Sequence, residues 1–315
     1  MTNIVVWSAF STSPEKVAAR FPDDRVLAIA DESALGAAVD AEVAFGGNNP
    51  RRVRQLLDAT PKLRWYHTVS AGVENMPLLE LAKRGIVLTN NSGSYDIQIA
   101  EHLLAFVFAA SRQLHRYRDS QRASEWKGQP QEELRDATIV VYGMGSIGGE
   151  IARLASAIGM RVIGVRRTAG SGAPGVDRVV AADRLADVIG EADYLAIAAP
   201  LTPATRGAVS REVISRMKPT AWIMNIARGA IVDEPAMIEA LQAKRIGGAA
   251  LDVFTTEPLP KESPLWTLEN VIVTPHHSGS SPRAGERTLA LFAENLRRYK
   301  SGEPLINRVD FEAGY

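Results

Sequence analysis

TIVVYGMGSIGGEIARLASAIGMRVIGVRRT, residues 138–168, reads as an apolar run, a glycine turn, an alanine-rich amphipathic stretch and a second apolar run. Its glycines Gly143, Gly145 and Gly148 keep the spacing G-x-G-x-x-G. The spacing alone is weak evidence, but a strand before it and a helix after it make it specific for a dinucleotide-binding turn. Gly143 is expected to make the tight turn, Gly145 to let a pyrophosphate approach the backbone, and Gly148 to let helix pack on strand. A helix opening at Ser146 and Ile147 then offers unpaired N–H groups and a partial positive charge to the phosphates. Tyr142, the last residue of the first run, completes the expected nucleotide contacts. The reading without a ligand is a plain strand–helix turn.

The second run closes on Val165-Arg166-Arg167-Thr168. An NAD site usually carries an acidic residue there for the ribose hydroxyls, whereas an arginine accommodates a 2′-phosphate. No carboxylate lies in that stretch, and a guanidinium fork binds phosphate bidentately. Arg166, Arg167 and Thr168 therefore point to NADP(H) as the preferred cofactor, with NAD(H) as the alternative. A solvated basic turn is the bland reading.

Outward from this segment, short apolar runs alternate with helical patterns. Runs at 4–7, 43–45, 63–69 and 86–89 precede it, and runs at 194–198, 221–225, 249–253 and 271–274 follow. Ser13-Pro14 and Asn49-Pro50 are helix-start signals, and Gly85 is a helix stop after 78–83. The alternation predicts an α/β protein with parallel, doubly wound sheets. Between the two series a helix is expected over 97–126. Its first half, IAEHLLAFVFAASRQL, is apolar enough to require burial between domains or against another subunit.

Composition sets outer limits. The chain has 315 residues, enough for two domains, with 36 Lys+Arg against 36 Asp+Glu. A zero net charge argues against nucleic acid as a partner. The absence of cysteine excludes disulfides, thiolate nucleophiles and zinc–thiolate sites. No apolar run reaches the roughly 18 residues of a membrane span, and the start lacks a basic signal-peptide region. A cytoplasmic protein with no membrane partner is the expectation.

Three charged residues follow three apolar runs: Arg228 in NIARGAIVD, Glu257 after GAALDVFTT, and His276 after VIVTP. Ligands of open α/β sheets bind outside the carboxyl ends of strands. These are the parts that reduction of a 2-keto acid needs. A cation holds the carboxylate and polarises the carbonyl, a proton donor neutralises the alkoxide, and a carboxylate stabilises the donor's charged form. Singly, each has an ordinary reading as a cap, a loop charge or a loop histidine. His102 and His115 read as packing or surface residues. His67 precedes Ser70-Ala71-Gly72-Val73, whose amides suit a carboxylate but equally suit an ordinary turn. Clustered acids are absent, so no catalytic metal is expected.

Together these segments resemble the D-isomer-specific 2-hydroxyacid dehydrogenases. The matching stretches are TVSAGVENM, AEHLLAFVFAASRQL, VYGMGSIGGEIARLASAIGMRVIGVRR, APLTPATRG, MNIARGAIVDEPAMIEAL, GAALDVFTTEPLPKESPLW and NVIVTPHHSG, in family order from about residue 63 onward. The resemblance implies two domains, flavodoxin-like and Rossmann-like, with a cleft between them. The substrate domain would join 1–98 to 282–315, and the nucleotide domain would span 99–281. Arg228 resembles the substrate-binding arginine, His276 the acid/base and Glu257 its partner. His276 is chosen over His277 because the family's catalytic histidine directly follows the TP dipeptide. Asp252 resembles the aspartate near the nicotinamide carboxamide. Pro200 with Leu201 and Thr202 resembles the loop along the cofactor, and Thr205 and Ala227 are further cofactor contacts. Ser70, Ala71, Gly72 and Val73 resemble the carboxylate-binding loop, and the AEHLL helix resembles a dimerisation helix. Arg166 departs from the family's commoner aspartate. The loop NSGSY, 91–95, matches in position and carries no substrate signature.

The resemblance therefore implies an oxidoreductase moving a hydride between NADP(H) and a small 2-keto or 2-hydroxy carboxylic acid, acting as a reductase and as a homodimer. The alternatives are an NAD-linked member with another substrate, such as phosphoglycerate, and a non-catalytic cofactor-sensing interaction protein. A 3-hydroxyacid dehydrogenase usually has its glycine loop at the extreme N-terminus, whereas here the loop begins at Gly143.

Overall fold

The apolar runs form two parallel sheets in the computed structural model, which describes residues 1–7, 14–170 and 173–315. Ser13, read as a helix-start residue, lies outside the described residues. The chain divides into two compact units, Met1–Tyr95 with Ser280–Tyr315, and Asp96–Gly279. The family resemblance had put the boundaries at 98/99 and 281/282.

The first unit has strands β1 (Asn3–Trp7), β2 (Arg25–Ile29), β3 (Val43–Gly46), β4 (Trp65–Thr68) and β5 (Val87–Thr89) in the order β2-β1-β3-β4-β5. All neighbours are parallel. Strands β3 and β4 are buried throughout, because helices cover both faces. Helices α1 (Pro14–Arg20), α2 (Pro50–Ala59) and α3 (Leu78–Lys83) lie between strands in sequence. Helix α2 starts at its proline because the Asn49 side chain accepts the N–H groups of Arg51 and Arg52 at 3.1 Å each. One core holds Val5, Leu56, Leu57 and Leu81, and the other holds Ile4, Phe45, Trp65 and Phe292.

The second unit opens with helices α4 (Asp96–Ser111) and α5 (Leu114–Ala123). Its seven strands are β6 (Thr138–Tyr142), β7 (Arg161–Arg166), β8 (Arg178–Ala181), β9 (Tyr194–Ile197), β10 (Trp222–Asn225), β11 (Gly248–Leu251) and β12 (Val271–Val273). Their order is β12-β11-β10-β9-β6-β7-β8, again wholly parallel. Helices α6 (Ser146–Ala157), α7 (Leu185–Val188), α8 (Arg211–Ser215) and α9 (Glu234–Gln242) connect them, and α10 (Ala284–Ser301) returns to the first unit. Strand order reverses between β6 and β9, so the crevice of this sheet opens where the glycine turn and the loop after β9 meet. Among the described residues, no helix is long and apolar enough to cross a membrane.

Strands β2 and β8 were not legible as apolar runs. Both are edge strands, and their partly exposed residues break the continuous apolar pattern. The expected single helix over 97–126 is two, divided where Gln113 turns left-handed at φ 54°. Helix α4 is apolar because it packs on α6, β10 and β11 within its own unit. Ile97 and Phe108 remain exposed on its outer side.

Candidate active site

The glycine turn sits at the carboxyl end of β6, and its three glycines do different things. Gly143 has φ 103°, and a Cβ there would lie 2.3 Å from the amide nitrogen of Ala199 after β9. A Cβ on Gly148 would lie within covalent distance of the Gly143 carbonyl oxygen, so only glycine lets α6 come this close to the turn. At Gly145 a Cβ would meet nothing within 4 Å. Gly145 is also the cap residue of α6 and supplies no side-chain acceptor for its first amides. A helix N-terminus without a side-chain cap from Gly145, beside a switch point, fits a pyrophosphate. Ser146 is exposed and Ile147 half-buried in the first turn, and Tyr142 is buried beneath it.

Arg166 ends β7, next in the sheet to β6. Its Nε donates to the carbonyl of Thr168 at 3.1 Å, which folds the guanidinium over the turn. Arg167 and Thr168 are exposed beside it. The loop after β9 is held by its threonines. The Thr205 hydroxyl donates to the Pro200 carbonyl at 2.6 Å and accepts the Thr202 amide at 2.8 Å.

Arg228, Glu257 and His276 follow β10, β11 and β12, which are adjacent parallel strands. Buried Asn225 shapes the first turn, accepting the Ala227 amide and donating to the Arg228 carbonyl, both at 3.0 Å. A Cβ on Gly229 would overlap the backbone of Phe254, so the Arg228 turn packs directly on the segment leading to Glu257. Glu257 accepts the Phe254 amide at 2.9 Å through Oε1 and meets His276 Nδ1 at 2.7 Å through Oε2. With Nδ1 so engaged, Nε2 is the nitrogen left to serve a substrate. The pair is part-exposed, and His276 holds φ 51°, a conformation uncommon for a non-glycine residue. Among the described residues, no carboxylate engages the His277 ring in this way; its backbone N–H is what the turn uses.

That N–H donates to Asp252 Oδ1 at 2.8 Å, and the Ser278 N–H donates to Oδ2 at 2.9 Å. The Thr274 hydroxyl donates to Oδ1 at 2.5 Å, and the Asp252 carbonyl accepts the His276 N–H at 2.8 Å. Asp252, read as a residue near the nicotinamide carboxamide, is thus fully buried and wrapped by the turn carrying His276. Burial pushes its carboxyl up, but the hydrogen bonds from Ser278, Thr274 and the His277 amide outweigh that and hold it below the usual range. His102, read as packing or surface, has Nε2 3.1 Å from the Thr274 hydroxyl. Burial lowers its pKa, against the opposing charge of Asp252 and with a further lowering from His277. His115 packs edge-on to Trp222, away from these turns.

In the first unit, Ser70, Ala71, Gly72 and Val73 follow β4. Among the described residues, the amides of Ala71, Gly72 and Val73 donate to no protein acceptor, which suits a carboxylate. The loop is braced by two residues of the segment 91–95, whose sequence carries no substrate signature. Asn91 donates from Nδ2 to the Val69 carbonyl at 3.1 Å and from its amide to the Ser70 carbonyl at 3.0 Å. The Tyr95 hydroxyl donates to the Val69 carbonyl at 2.7 Å. His67 is fully buried, stacked on Phe45 and 2.8 Å from the Thr89 hydroxyl. Burial pushes its pKa down to about 3, so it is a neutral core histidine. Among the described residues, no cluster of acids and histidines forms a metal site.

Residues 104–278 match the family model for the D-isomer specific 2-hydroxyacid dehydrogenase NAD-binding domain. The chain belongs to that family. Its second unit is the family's NAD-binding domain. Among its relatives is a glyoxylate reductase of Korarchaeum cryptofilum, 34% identical over 82% of this chain and 79% of that one. A D-3-phosphoglycerate dehydrogenase of Methanocaldococcus jannaschii is 34% identical over 86% of this chain, which spans only 52% of that relative. The dehydrogenase fold is matched over the full length of both chains by an NADPH-dependent glyoxylate/hydroxypyruvate reductase of Sinorhizobium meliloti, solved with NADP and sulfate. The TM-score is 0.84 at 28% identity.

Proposed function

We propose that this chain is an NADP-linked reductase of a small 2-keto acid. The observation that carries the proposal is the 2.7 Å contact between His276 Nδ1 and Glu257 Oε2, one strand removed from Arg228. A carboxylate on one ring nitrogen stabilises the imidazolium and leaves the other N–H to donate.

Bound NADPH supplies the hydride. Gly143, Gly145, Gly148 and the first turn of α6 hold the pyrophosphate, and Arg166, Arg167 and Thr168 hold the 2′-phosphate. Pro200, Thr205 and Ala227 would make further contacts to the bound cofactor. Arg228 binds the substrate carboxylate and draws electron density from the keto oxygen. His276 Nε2 passes its proton to that oxygen as the keto carbon is reduced, and Glu257 stabilises the imidazolium until then. In the first unit, the loop Ser70–Val73 suits a carboxylate through the amides of Ala71, Gly72 and Val73. The product is a D-2-hydroxy acid.

Arg166 supports NADPH over NADH, as does the NADP bound to the Sinorhizobium relative. NAD-linked oxidation of phosphoglycerate is the second reading, favoured by the Methanocaldococcus relative. The exposed Ile97 and Phe108 on α4 support a homodimer. Cytoplasmic residence completes the reading; the composition is that of an ordinary soluble globular protein. The test is a panel of 2-keto acids, glyoxylate and hydroxypyruvate included, assayed with NADPH and NADH. Absence of turnover across the panel, with cofactor bound, overturns the proposal in favour of a cofactor-sensing protein.

A further inference from the structure

The turn that carries His276 is tied to a helix far from it in sequence. The Thr274 hydroxyl has one proton, and it goes to Asp252 Oδ1 at 2.5 Å. His102 Nε2, 3.1 Å from the same hydroxyl oxygen, must then be the donor to it. This assigns the Nε2–H form of the ring, which also suits an imidazole whose protonation burial disfavours. The order of donors is His102 to Thr274 to Asp252. Asp252 in turn accepts the amides of His277 and Ser278 on its carboxylate and that of His276 on its carbonyl.

We infer that His102 is a positioning residue for the proton donor: its Nε2–H turns the Thr274 hydroxyl onto Asp252 and so holds the 274–278 turn that presents His276. The device is needed because His276 sits at φ 51°, where a non-glycine residue is held only by its surroundings. Without the His102 donor, the Thr274 hydroxyl oxygen loses the partner that fixes its rotamer, and its hydrogen bond to the Asp252 carboxylate loosens. Hydrogen-bonded chains of this kind strengthen one another in a buried setting. The ring of His102 also packs edge-on to Phe106 at 4.5 Å, which fixes its plane and aims Nε2 at the turn. The inference rests on the reading of His276 as proton donor.

The test uses the full chain and three variants. His102→Phe keeps the ring on Phe106 and removes the donor. It should lower kcat roughly tenfold, the effect of one lost hydrogen bond to a charge-bearing network. KM for the keto acid and the dissociation constant of NADPH should stay within about twofold. His102→Gln, which restores an amide donor near Nε2, should recover most of the loss. Thr274→Val should cost at least as much as His102→Phe, and the double variant no more than Thr274→Val alone, because His102 acts through Thr274. Unchanged turnover in His102→Phe, additive losses in the double variant, or a loss that Gln does not recover each overturns the inference. Imidazole NMR separates it from the functional reading. The His276 ring resonances should move in His102→Phe whether or not the wild type reduces any keto acid, and an unmoved His276 signal overturns the positioning role.

Discussion

Glu257 divides its carboxylate between two partners, the backbone N–H of Phe254 at 2.9 Å and His276 Nδ1 at 2.7 Å. The first contact fixes where the carboxylate sits; the second leaves His276 only one nitrogen for chemistry. Glu257→Gln keeps an acceptor for Phe254 but loses the charge facing the imidazole. Turnover for keto-acid reduction should fall roughly ten- to a hundredfold, the scale of a hydrogen bond between charged groups, with NADPH binding retained. Steady-state kinetics beside a cofactor titration reads both quantities.

His276→Ala should remove the proton donor and cost roughly 100- to 10,000-fold in kcat. His277→Ala should cost far less, because the site uses the His277 backbone N–H rather than its ring. Equal losses in the two variants would show that the wrong histidine has been chosen.

Arg166→Asp should weaken NADPH by about one to two decades while leaving NADH nearly unchanged, since only the 2′-phosphate loses a charge-assisted contact. Comparison of kcat/KM with both cofactors checks this. Better efficiency of the wild type with NADH contradicts it.

Phe108 is 42% exposed and Ile97 46% exposed on the side of α4 that also exposes Glu101 and Ala105, while its other side is buried. Phe108→Glu should shift the protein from dimer toward monomer in light scattering at micromolar concentration. A wild-type monomer under those conditions removes the dimer from the proposal.

His67 adds an acid-sensitive element to the first unit. Its folded pKa, about 3, lies below the unfolded value of 6.5, so the unfolded chain binds the extra proton first. Its contribution to stability is whole above pH 6.5 and falls as pH drops toward 3, by up to about 1.4 kcal/mol per pH unit. His67→Phe, which keeps the stack on Phe45, should flatten the loss of stability between pH 6.5 and 5 in urea unfolding. An equally steep loss in the variant places the acid sensitivity elsewhere.

The glycine turn, the alternating runs and the three charged residues after β10, β11 and β12 were legible because each is local. A glycine spacing, an apolar run and the residue that follows it are all properties of one short stretch of chain. The edge strands β2 and β8 escaped because one flank of each lacks a neighbouring strand, and exposure erased the apolar pattern that marks a central strand.

Local sequence thus determined that this chain builds parallel α/β sheets, carries a dinucleotide turn at Gly143 and sets Arg228, Glu257 and His276 after strands. Tertiary structure alone decided their partners. Asn225 shaping the Arg228 turn, Asp252 gathering the amides of His276, His277 and Ser278, and His102 reaching Thr274 across 172 residues of sequence are not written in any motif. The physical reason is that a buried carboxylate or imidazole must find its hydrogen bonds wherever packing brings a donor. Packing joins residues that the order of the chain keeps far apart.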